Sequence, residues 1–193
     1  GPCHAEEIAM EKLSYLTFSC PNSENAKIIS KWLNCKYVRV SVSEDITGTE
    51  YAAMLKNCYA IAAGAAYGLG YGDNFISVLM SNSIREMNKF IKNIYKMKRN
   101  INNSAYLGDL LVTSYSSFSR NRKLGVMLGK GYNIENALLE MNMIAEGYYG
   151  SKSAFQINKK FKSNTPILDT VYTIIHEKTS AKKAFKKLES KLD

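Results

Sequence analysis

The sequence has 193 residues, of which 46% are hydrophobic and 22% are charged, so it suits one globular domain, or one domain with a fragment of another. Its three prolines and 12 glycines exclude collagen-like, low-complexity and disordered proteins. The 26 lysines and arginines against 17 aspartates and glutamates give a net charge of +9, which suits nucleic acid, anionic lipid or a phosphorylated small molecule without choosing among them.

The first 45 residues predict a strand, a helix and a second strand. Residues 15–20 and 37–42 are rich in β-branched and aromatic side chains and end in polar turns, as strands do. Between them, Asn22 or Ser23 can cap a helix over residues 24–34. A strand-helix-strand unit pairs its strands in parallel, and two strands alone make a marginal sheet. Residues 1–45 are therefore interpreted as the end of a larger α/β domain.

Almost everything from residue 46 onward predicts helices, so the expected fold class is mainly α. Small residues crowd positions 49–69, which predicts a buried central helix. Further helices are predicted over residues 75–97, 121–128, 134–141, 151–161, 167–176 and 180–192. The glycines between Gly68 and Asn74 alternate and follow a helix, unlike a dinucleotide fingerprint. They predict a turn in which Asp73 or Asn74 caps the next helix.

The cysteines, the histidines and the length of the apolar runs bear on three more protein classes: metal-binding, disulfide-bonded and membrane-spanning. The four cysteines form no Cys-x-x-Cys pair, and His4 and His176 lie far from any zinc-ligand spacing. We therefore expect no metal site, and reduced thiols in a cytoplasmic protein. The longest apolar run, from Cys58 to Tyr71, is interrupted by glycines and is shorter than the ~20 residues of a membrane span, so no transmembrane helix is expected.

Lys56 is the first candidate for chemistry. Its helical neighbours Ala52, Ala53, Tyr59 and Ala60 are uncharged, and a lysine deprived of water among such neighbours can exchange protons near neutral pH. The alternative is a lysine that extends its ammonium from the edge of an apolar face into solvent, which is common. Both interpretations stay open on this segment alone.

The segment 108–123 is the second candidate, because an acidic residue and a hydroxyl-rich stretch precede three basic residues at a predicted helix start. Guanidinium groups, hydroxyls and backbone N–H groups at a helix N-terminus are the components of a phosphate-binding site. A capped, solvated helix start explains the pattern equally well. The lysines of the C-terminal helices lack interleaved aromatic side chains, so they favour a solvated face over a nucleic-acid surface.

Several motifs occur in the order and spacing of one known family. They are Gly1-Pro-Cys-His-Ala-Glu-Glu7, Leu55-Lys-Asn57 with Ala60-Ile-Ala-Ala-Gly64, Gly68-Leu-Gly-Tyr-Gly-Asp-Asn74, Gly108-Asp-Leu-Leu-Val-Thr113, Ser119-Arg-Asn-Arg122, Glu146-Gly147 with Lys152, and Pro166-Ile167. Over nearly the whole chain, they resemble the C-terminal half of the bacterial-type NAD(P)-dependent glycerol-3-phosphate dehydrogenases. The chain differs from the family pattern at Cys3, His4 and Tyr106, among other positions, where the family has Ser or Thr, Phe and Gly.

The resemblance implies an all-helical C-terminal dehydrogenase domain at residues 46–193, similar to that of 6-phosphogluconate dehydrogenase. Residues 1–45 would be the last strand-helix-strand piece of a truncated Rossmann domain. The implied reaction interconverts sn-glycerol 3-phosphate and dihydroxyacetone phosphate by hydride transfer with NAD or NADP. Since no Gly-x-Gly-x-x-Gly precedes Gly1, we expect the chain alone to be inactive. A cytoplasmic homodimer is expected, with a phosphorylated three-carbon substrate, no nucleic acid and no membrane span.

The resemblance also implies which residues form the site. Lys56 would be the general acid and base, held and polarised by Asp109. The substrate-binding positions would be Gly1, Cys3, Lys56, Asp109, Thr113, Ser119, Arg120 and Asn121, and the cofactor-binding positions Ala5, Arg120, Ile144 and Glu146. Two other functions stay open: a non-catalytic helical remnant for interaction or dimerisation, and a related β-hydroxyacid dehydrogenase domain. Arg120 and its hydroxyl neighbours would be required only by a phosphorylated or otherwise anionic substrate.

Overall fold

The computed structural model describes residues 1–141 and 143–193 and confirms the mainly α fold class. Its elements are α1 (Ala5–Ala9), β1 (Ser14–Ser19), α2 (Ser23–Leu33), β2 (Val38–Ser43), α3 (Ile46–Gly68), α4 (Asp73–Ile94), a π-helix (Ser104–Gly108), α5 (Asp109–Tyr115), α6 (Arg120–Gly129), α7 (Ile134–Leu139), α8 (Gly147–Phe161), α9 (Pro166–His176), α10 (Ala181–Leu188) and a terminal 3₁₀ turn (Glu189–Lys191).

The two strands pair in parallel, as the strand-helix-strand pattern predicts. Their register runs from Ser14 opposite Val38 to Ser19 opposite Ser43. The Asn22 side chain caps the connecting helix, accepting the Glu24 N–H at 2.9 Å. On this helix Ala26 is fully buried, but Trp32 is 79% exposed. Much of the apolar face of α2 is therefore uncovered in the part of the chain that the structure describes.

The central helix is α3, whose residues from Leu55 to Ala66 are buried with the exception of Lys56. Helices α4, α5, α6, α8 and α9 pack around it. It begins three residues earlier than predicted, because the Asp45 carboxylate accepts the Gly48 N–H at 2.9 Å and so caps the first turn. The buried side chains of this helix form the centre of a single hydrophobic core.

Glycines let α3 and α6 pack with their backbones in contact. A β-carbon at Gly64 would overlap the Arg122 carbonyl oxygen, and one at Gly125 would overlap the Ile61 carbonyl oxygen. Since a methyl group at either position would force the helices apart, only glycine permits this distance. The close approach brings the first turn of α6 over the middle of α3, where Lys56 lies.

Three short helical elements were not predicted: α1, the π-helix and α5. The last has seven residues, too few for an apolar period to be recognised in the sequence. Helix α8 begins at Gly147, four residues before its predicted start. The predicted capping of the next helix by Asp73 or Asn74 is wrong, because α4 begins at Asp73 itself and Gly72 precedes it without a side-chain cap.

Three sequence expectations concern the chain as a whole. Among residues 1–141 and 143–193, no helix is long and apolar enough to cross a bilayer. The four cysteines are free thiols in the structure. The division into two domains at residue 45 stays a prediction, and in the structure Asp45 is the N-cap residue of α3, which begins at Ile46.

Candidate active site

A cavity of about 340 Å³ lies where α1, α3, α5 and α6 converge with residues 143–146. Nine of the eleven predicted site positions line it: Cys3, Ala5, Lys56, Asp109, Thr113, Ser119, Arg120, Asn121 and Glu146. Gly1 is not among the lining residues, but its nitrogen lies 3.6 Å from Asp109 Oδ2. Ile144 is 61% exposed and lines a neighbouring apolar groove instead. The fold therefore gathers positions spread over most of the chain into one cavity.

Lys56 and Asp109 form an ion pair in the cavity wall. The Lys56 Nζ donates to Asp109 Oδ2 at 2.6 Å, and the two side chains are 22% and 9% exposed. Lys56 comes from the middle of α3, and Asp109 is the first residue of α5. Partial exclusion of water strengthens this attraction relative to a surface pair. The ammonium thus has a fixed carboxylate partner and lies neither alone among apolar groups nor in bulk solvent.

A chain of amide hydrogen bonds joins three elements at the opposite wall. Asn57 donates to Glu146 Oε2 at 3.2 Å and accepts from Asn121 Nδ2 at 3.0 Å. The Asn121 side-chain oxygen in turn accepts the Gly147 N–H at 2.8 Å, at the start of α8. Asn57 was not predicted as a site residue. Its position directly after Lys56, within the Leu55-Lys-Asn57 motif, is the signal that could have found it.

Lys56 and Arg120 are the two cationic residues that line the cavity. Lys56 pairs with Asp109, whereas Arg120 has no carboxylate partner among the described residues. Its guanidinium lies 3.7 Å from the Met143 sulfur and makes no ion pair in that part of the chain. Ser119 caps α6 by accepting the Arg122 N–H at 3.2 Å, so Arg120 opens the helix. Arg122 turns away from the cavity and lies over the Tyr67 ring, 4.9 Å from its centroid. Only one of the two arginines is placed to meet an anion in the cavity.

The N-terminal wall consists of Cys3 and His4, facing Phe118 on the other side. Burial raises the pKa of the Cys3 thiol, which therefore stays protonated at neutral pH. The His4 Nε2 is buried and makes no hydrogen bond within the described residues, and its ring centroid lies 6.3 Å from that of Phe118. His4, Phe118 and Met143 are not among the predicted site residues; in the sequence, His4 stands out as a departure from the family pattern.

The geometry sets what this cavity can do chemically. It holds an ammonium that can give a proton to a ligand oxygen, a carboxylate that orients the ammonium, and a guanidinium available for an anion. Its volume is at the small end of ligand-binding cavities. Among residues 1–141 and 143–193, no group of three or more His, Cys, Asp or Glu side chains is arranged to hold a metal ion. The site suits a small anionic molecule with an oxygen to be protonated.

The family comparison matches residues 45–186 to the C-terminal part of NAD-dependent glycerol-3-phosphate dehydrogenase. Among curated proteins, glycerol-3-phosphate dehydrogenase [NAD(P)+] of Limosilactobacillus reuteri is 33% identical over 188 residues, which are 97% of this chain and 56% of that protein. The enzyme of the same name from Staphylococcus aureus (strain N315) is 34% identical, with 97% and 57% covered. The chain thus spans little more than half the length of these relatives.

Solved structures show the same fold. The crystal structure of glycerol-3-phosphate dehydrogenase from Coxiella burnetii superposes with a TM-score of 0.94 at 28% identity, covering 97% of this chain and 58% of that one. The yeast glycerol-3-phosphate dehydrogenase superposes with a TM-score of 0.83 at 24% identity, covering 98% and 58%. At the latter identity the likeness concerns the fold alone.

Proposed function

Because the chain belongs to the NAD-dependent glycerol-3-phosphate dehydrogenase family, through that family's C-terminal part, we propose that it supplies the proton-transfer and substrate-binding groups of such an enzyme. The proposed reaction interconverts sn-glycerol 3-phosphate and dihydroxyacetone phosphate. The observation that carries the proposal is the Lys56–Asp109 pair, which shares its cavity with Arg120. Since the chain spans 56% of the first relative, the complete reaction is proposed for it together with a nucleotide-binding domain.

Proton transfer is assigned to Lys56. When the ketone is reduced, negative charge develops on its oxygen, and the Lys56 ammonium gives that oxygen a proton. In the reverse direction, the neutral amine takes the proton from the alcohol. The Asp109 carboxylate, 2.6 Å from Nζ, holds the amine in the cavity wall. Asp109 is buried at the first turn of α5, so its position is set by the packing of that helix.

Substrate binding is assigned to the first turn of α6 and to the wall below it. A guanidinium can bind two phosphate oxygens at once, and Arg120 has no competing carboxylate among the described residues. Ser119, Thr113 and Asn121 add hydroxyl and amide groups along the same wall. A substrate with a phosphate at one end and a reacting oxygen at the other would place that oxygen toward Lys56.

The residues beside the cavity also fit the nicotinamide end of a dinucleotide. Met143 and Ile144 are each 61% exposed at its edge and could cover a planar ring. Arg120 and Glu146 offer a donor and an acceptor to the groups that the ring carries. When bound, NAD or NADP supplies or accepts the hydride. We place Ala5, Arg120, Ile144 and Glu146 at this contact.

Titration of the 193-residue chain with sn-glycerol 3-phosphate and with glycerol, followed by NMR, tests the proposal. We expect the phosphorylated compound to shift the amide signals of residues that line the cavity in a saturable manner, and glycerol to leave them unchanged. Equal shifts with both compounds, or none with either, would contradict the proposed substrate. Preferential binding of a 3-hydroxycarboxylate would favour the related β-hydroxyacid dehydrogenases instead.

We further propose that the protein acts in the cytoplasm as a homodimer. Exposed apolar side chains support an interface, among them Leu139 at 84% and Tyr149 at 60%. Light scattering at increasing concentration measures the oligomeric state. Substitution of Leu139 by Glu should shift a dimer toward monomer, because a charge would be buried at the interface. A mass that stays monomeric at every concentration would contradict the dimer.

A further inference from the structure

A second cluster of charged and polar groups lies at the start of α3, outside the residues that line the candidate active site. The side chains of Asp45, Arg99 and Tyr106 meet there and are almost fully buried: Asp45 is 5% exposed and Arg99 4%, and Tyr106 is 4% exposed. Arg99 Nε donates to Asp45 Oδ2 at 2.7 Å, and the Tyr106 hydroxyl donates to the same oxygen at 2.6 Å. Burial of the carboxylate opposes ionisation, but the bonds from Arg99, Tyr106 and Gly48 together hold the pKa of Asp45 below its usual value.

The cluster connects the two elements that carry the ion pair of the site. Asp45 caps α3, and Lys56 lies eleven residues further along this helix, or about 16 Å of helical rise. Tyr106 lies in the π-helix, which runs directly into α5, where Asp109 is the first residue. The same two elements are thus joined twice, once at Asp45 with Tyr106 and once at Lys56 with Asp109.

The π-helix makes the Lys56–Asp109 contact sensitive to the Asp45–Tyr106 contact. π-helical turns are rare, are wider than α-helical turns, and depend on tertiary contacts for their stability. Tyr106 is the residue of this π-helix that is buried, and its hydroxyl bonds to a carboxylate already fixed at the start of α3. Without that bond, the π-helix would no longer be held to the start of α3. The first turn of α5, which contains Asp109, would then shift.

We propose that Tyr106 is a positioning residue, which sets the Asp109 carboxylate against the Lys56 ammonium by tying the π-helix to Asp45. The consequence for catalysis rests on the proposed function, whereas the geometric effect does not. Arg99 has a different part in the cluster. It compensates the buried charge of Asp45 through two nitrogens and lies beside the Tyr106 hydroxyl. The bond that ties the π-helix to α3 is the one from Tyr106 to Asp45, so removal of Arg99 should affect stability more than the position of Asp109.

Acetylation of individual lysines in the 193-residue chain, measured by mass spectrometry, tests this inference without substrate. An ammonium held by a carboxylate reacts slowly, because the amine must first lose its proton. Tyr106→Phe keeps the ring and removes the hydroxyl. We expect it to raise the initial rate of Lys56 acetylation about two- to fivefold, the range for loss of a partly exposed ion pair. Asp109→Asn is the positive control and should give at least the same increase.

Matched variants separate positioning from general loosening of the fold. Tyr71→Phe removes another tyrosine–carboxylate bond, from Tyr71 to Glu189 Oε1 at 2.5 Å, away from the cavity, and should leave Lys56 acetylation unchanged. Arg99→Met should lower the melting temperature more than Tyr106→Phe does, but raise Lys56 acetylation less. Asp45→Asn changes the acceptor of the Tyr106 hydrogen bond and should also raise the rate of Lys56 acetylation.

The outcomes distinguish this inference from the proposed function. If Tyr106→Phe and Asp45→Asn both leave Lys56 acetylation at the wild-type rate, or if Arg99→Met raises it as much as they do, the positioning role is wrong. That result leaves the glycerol 3-phosphate titration free to succeed. Conversely, a chain that shows the expected acetylation pattern but binds no phosphorylated ligand would retain the positioning role and lose the proposed substrate.

Discussion

The Lys56 ammonium lies 2.6 Å from the Asp109 carboxylate, although 53 residues separate the two in the sequence. Lys56 lies on helix α3, and Asp109 lies in the first turn of α5, directly after the π-helix. The pair faces a cavity that also contains Arg120. This contact turns a lysine on an alanine-rich helix into a candidate proton donor with a fixed position.

Removal of the Lys56 ammonium should abolish most of the activity in a protein that contains this chain and a nucleotide-binding domain. Lys56→Ala should lower kcat by roughly two to four orders of magnitude, the usual loss when a general acid is removed. Dihydroxyacetone phosphate-dependent oxidation of NADH or NADPH measures this change. The matched control is Lys123→Ala, which removes an exposed lysine of α6 and should preserve kcat. A loss under about tenfold for Lys56→Ala would argue against its role.

Arg120 and Arg122 make a matched pair for the phosphate contact. Arg120→Ala should weaken binding of sn-glycerol 3-phosphate by about ten- to hundredfold, because a charge-assisted hydrogen bond to phosphate is lost. Arg122→Ala should have little effect on this affinity, since that guanidinium lies over Tyr67. Calorimetric titration of both variants checks the difference. Equal affinities for the two variants would move the phosphate contact elsewhere.

The buried carboxyl of Glu86 should make the protein less stable as the pH rises. Glu86 accepts the N–H groups of Ile167 and Leu168 at 2.9 and 3.0 Å, and burial raises its pKa to about 8 from 4.5. Between these values the folded state holds a proton that the unfolded state releases. The free energy of unfolding therefore falls with increasing pH, by up to about 1.4 kcal/mol per pH unit, and levels off above the folded pKa.

Urea unfolding between pH 6.5 and about 8 isolates this effect. The pKa of His176 is lowered by burial from 6.5, so its opposite contribution lies below that value. The pKa values of the Cys3 and Cys58 thiols are raised by burial from 9.0, so these groups contribute only above this range. Glu86→Gln keeps an oxygen for the two backbone N–H groups and should flatten the profile. Glu135→Gln, at a half-exposed glutamate paired with Lys178, should leave the slope as in the wild type. A wild-type profile already flat over this range would contradict the raised pKa of Glu86.

Packing of α6 on α3 should tolerate no added methyl group at Gly125. Gly125→Ala would overlap the Ile61 carbonyl oxygen and should lower the free energy of unfolding by about 1–3 kcal/mol or more. Gly72→Ala is the control, because a β-carbon there meets nothing within 4 Å and the backbone φ is −83°. Thermal unfolding of both variants measures the difference. Similar melting temperatures would show that the two helices can separate without cost.

Much of the helical architecture could be predicted from the sequence, because helix periodicity and capping are local. The last helix, predicted over residues 180–192, is α10 with Ser180 as its N-cap. The π-helix and α5 could not be found in this way, since they are short and their stability comes from contacts with α3. The exposed Trp32 on α2 was equally unpredictable, because the spacing of apolar residues says nothing about what covers them.

By itself, the sequence determined which residue types were available: a lysine on an alanine-rich helix, an aspartate before a hydroxyl-rich stretch, and two arginines at a helix start. The family resemblance also implied that Asp109 holds Lys56 and that Arg120 meets the substrate, and the structure brings these three residues into one cavity. Only the tertiary structure decided that Arg122 turns away to Tyr67 and that Tyr106 reaches Asp45. The physical reason is range. Capping and periodicity act within a few residues, whereas these contacts depend on how closely separate helices pack, and glycines such as Gly64 and Gly125 set that distance.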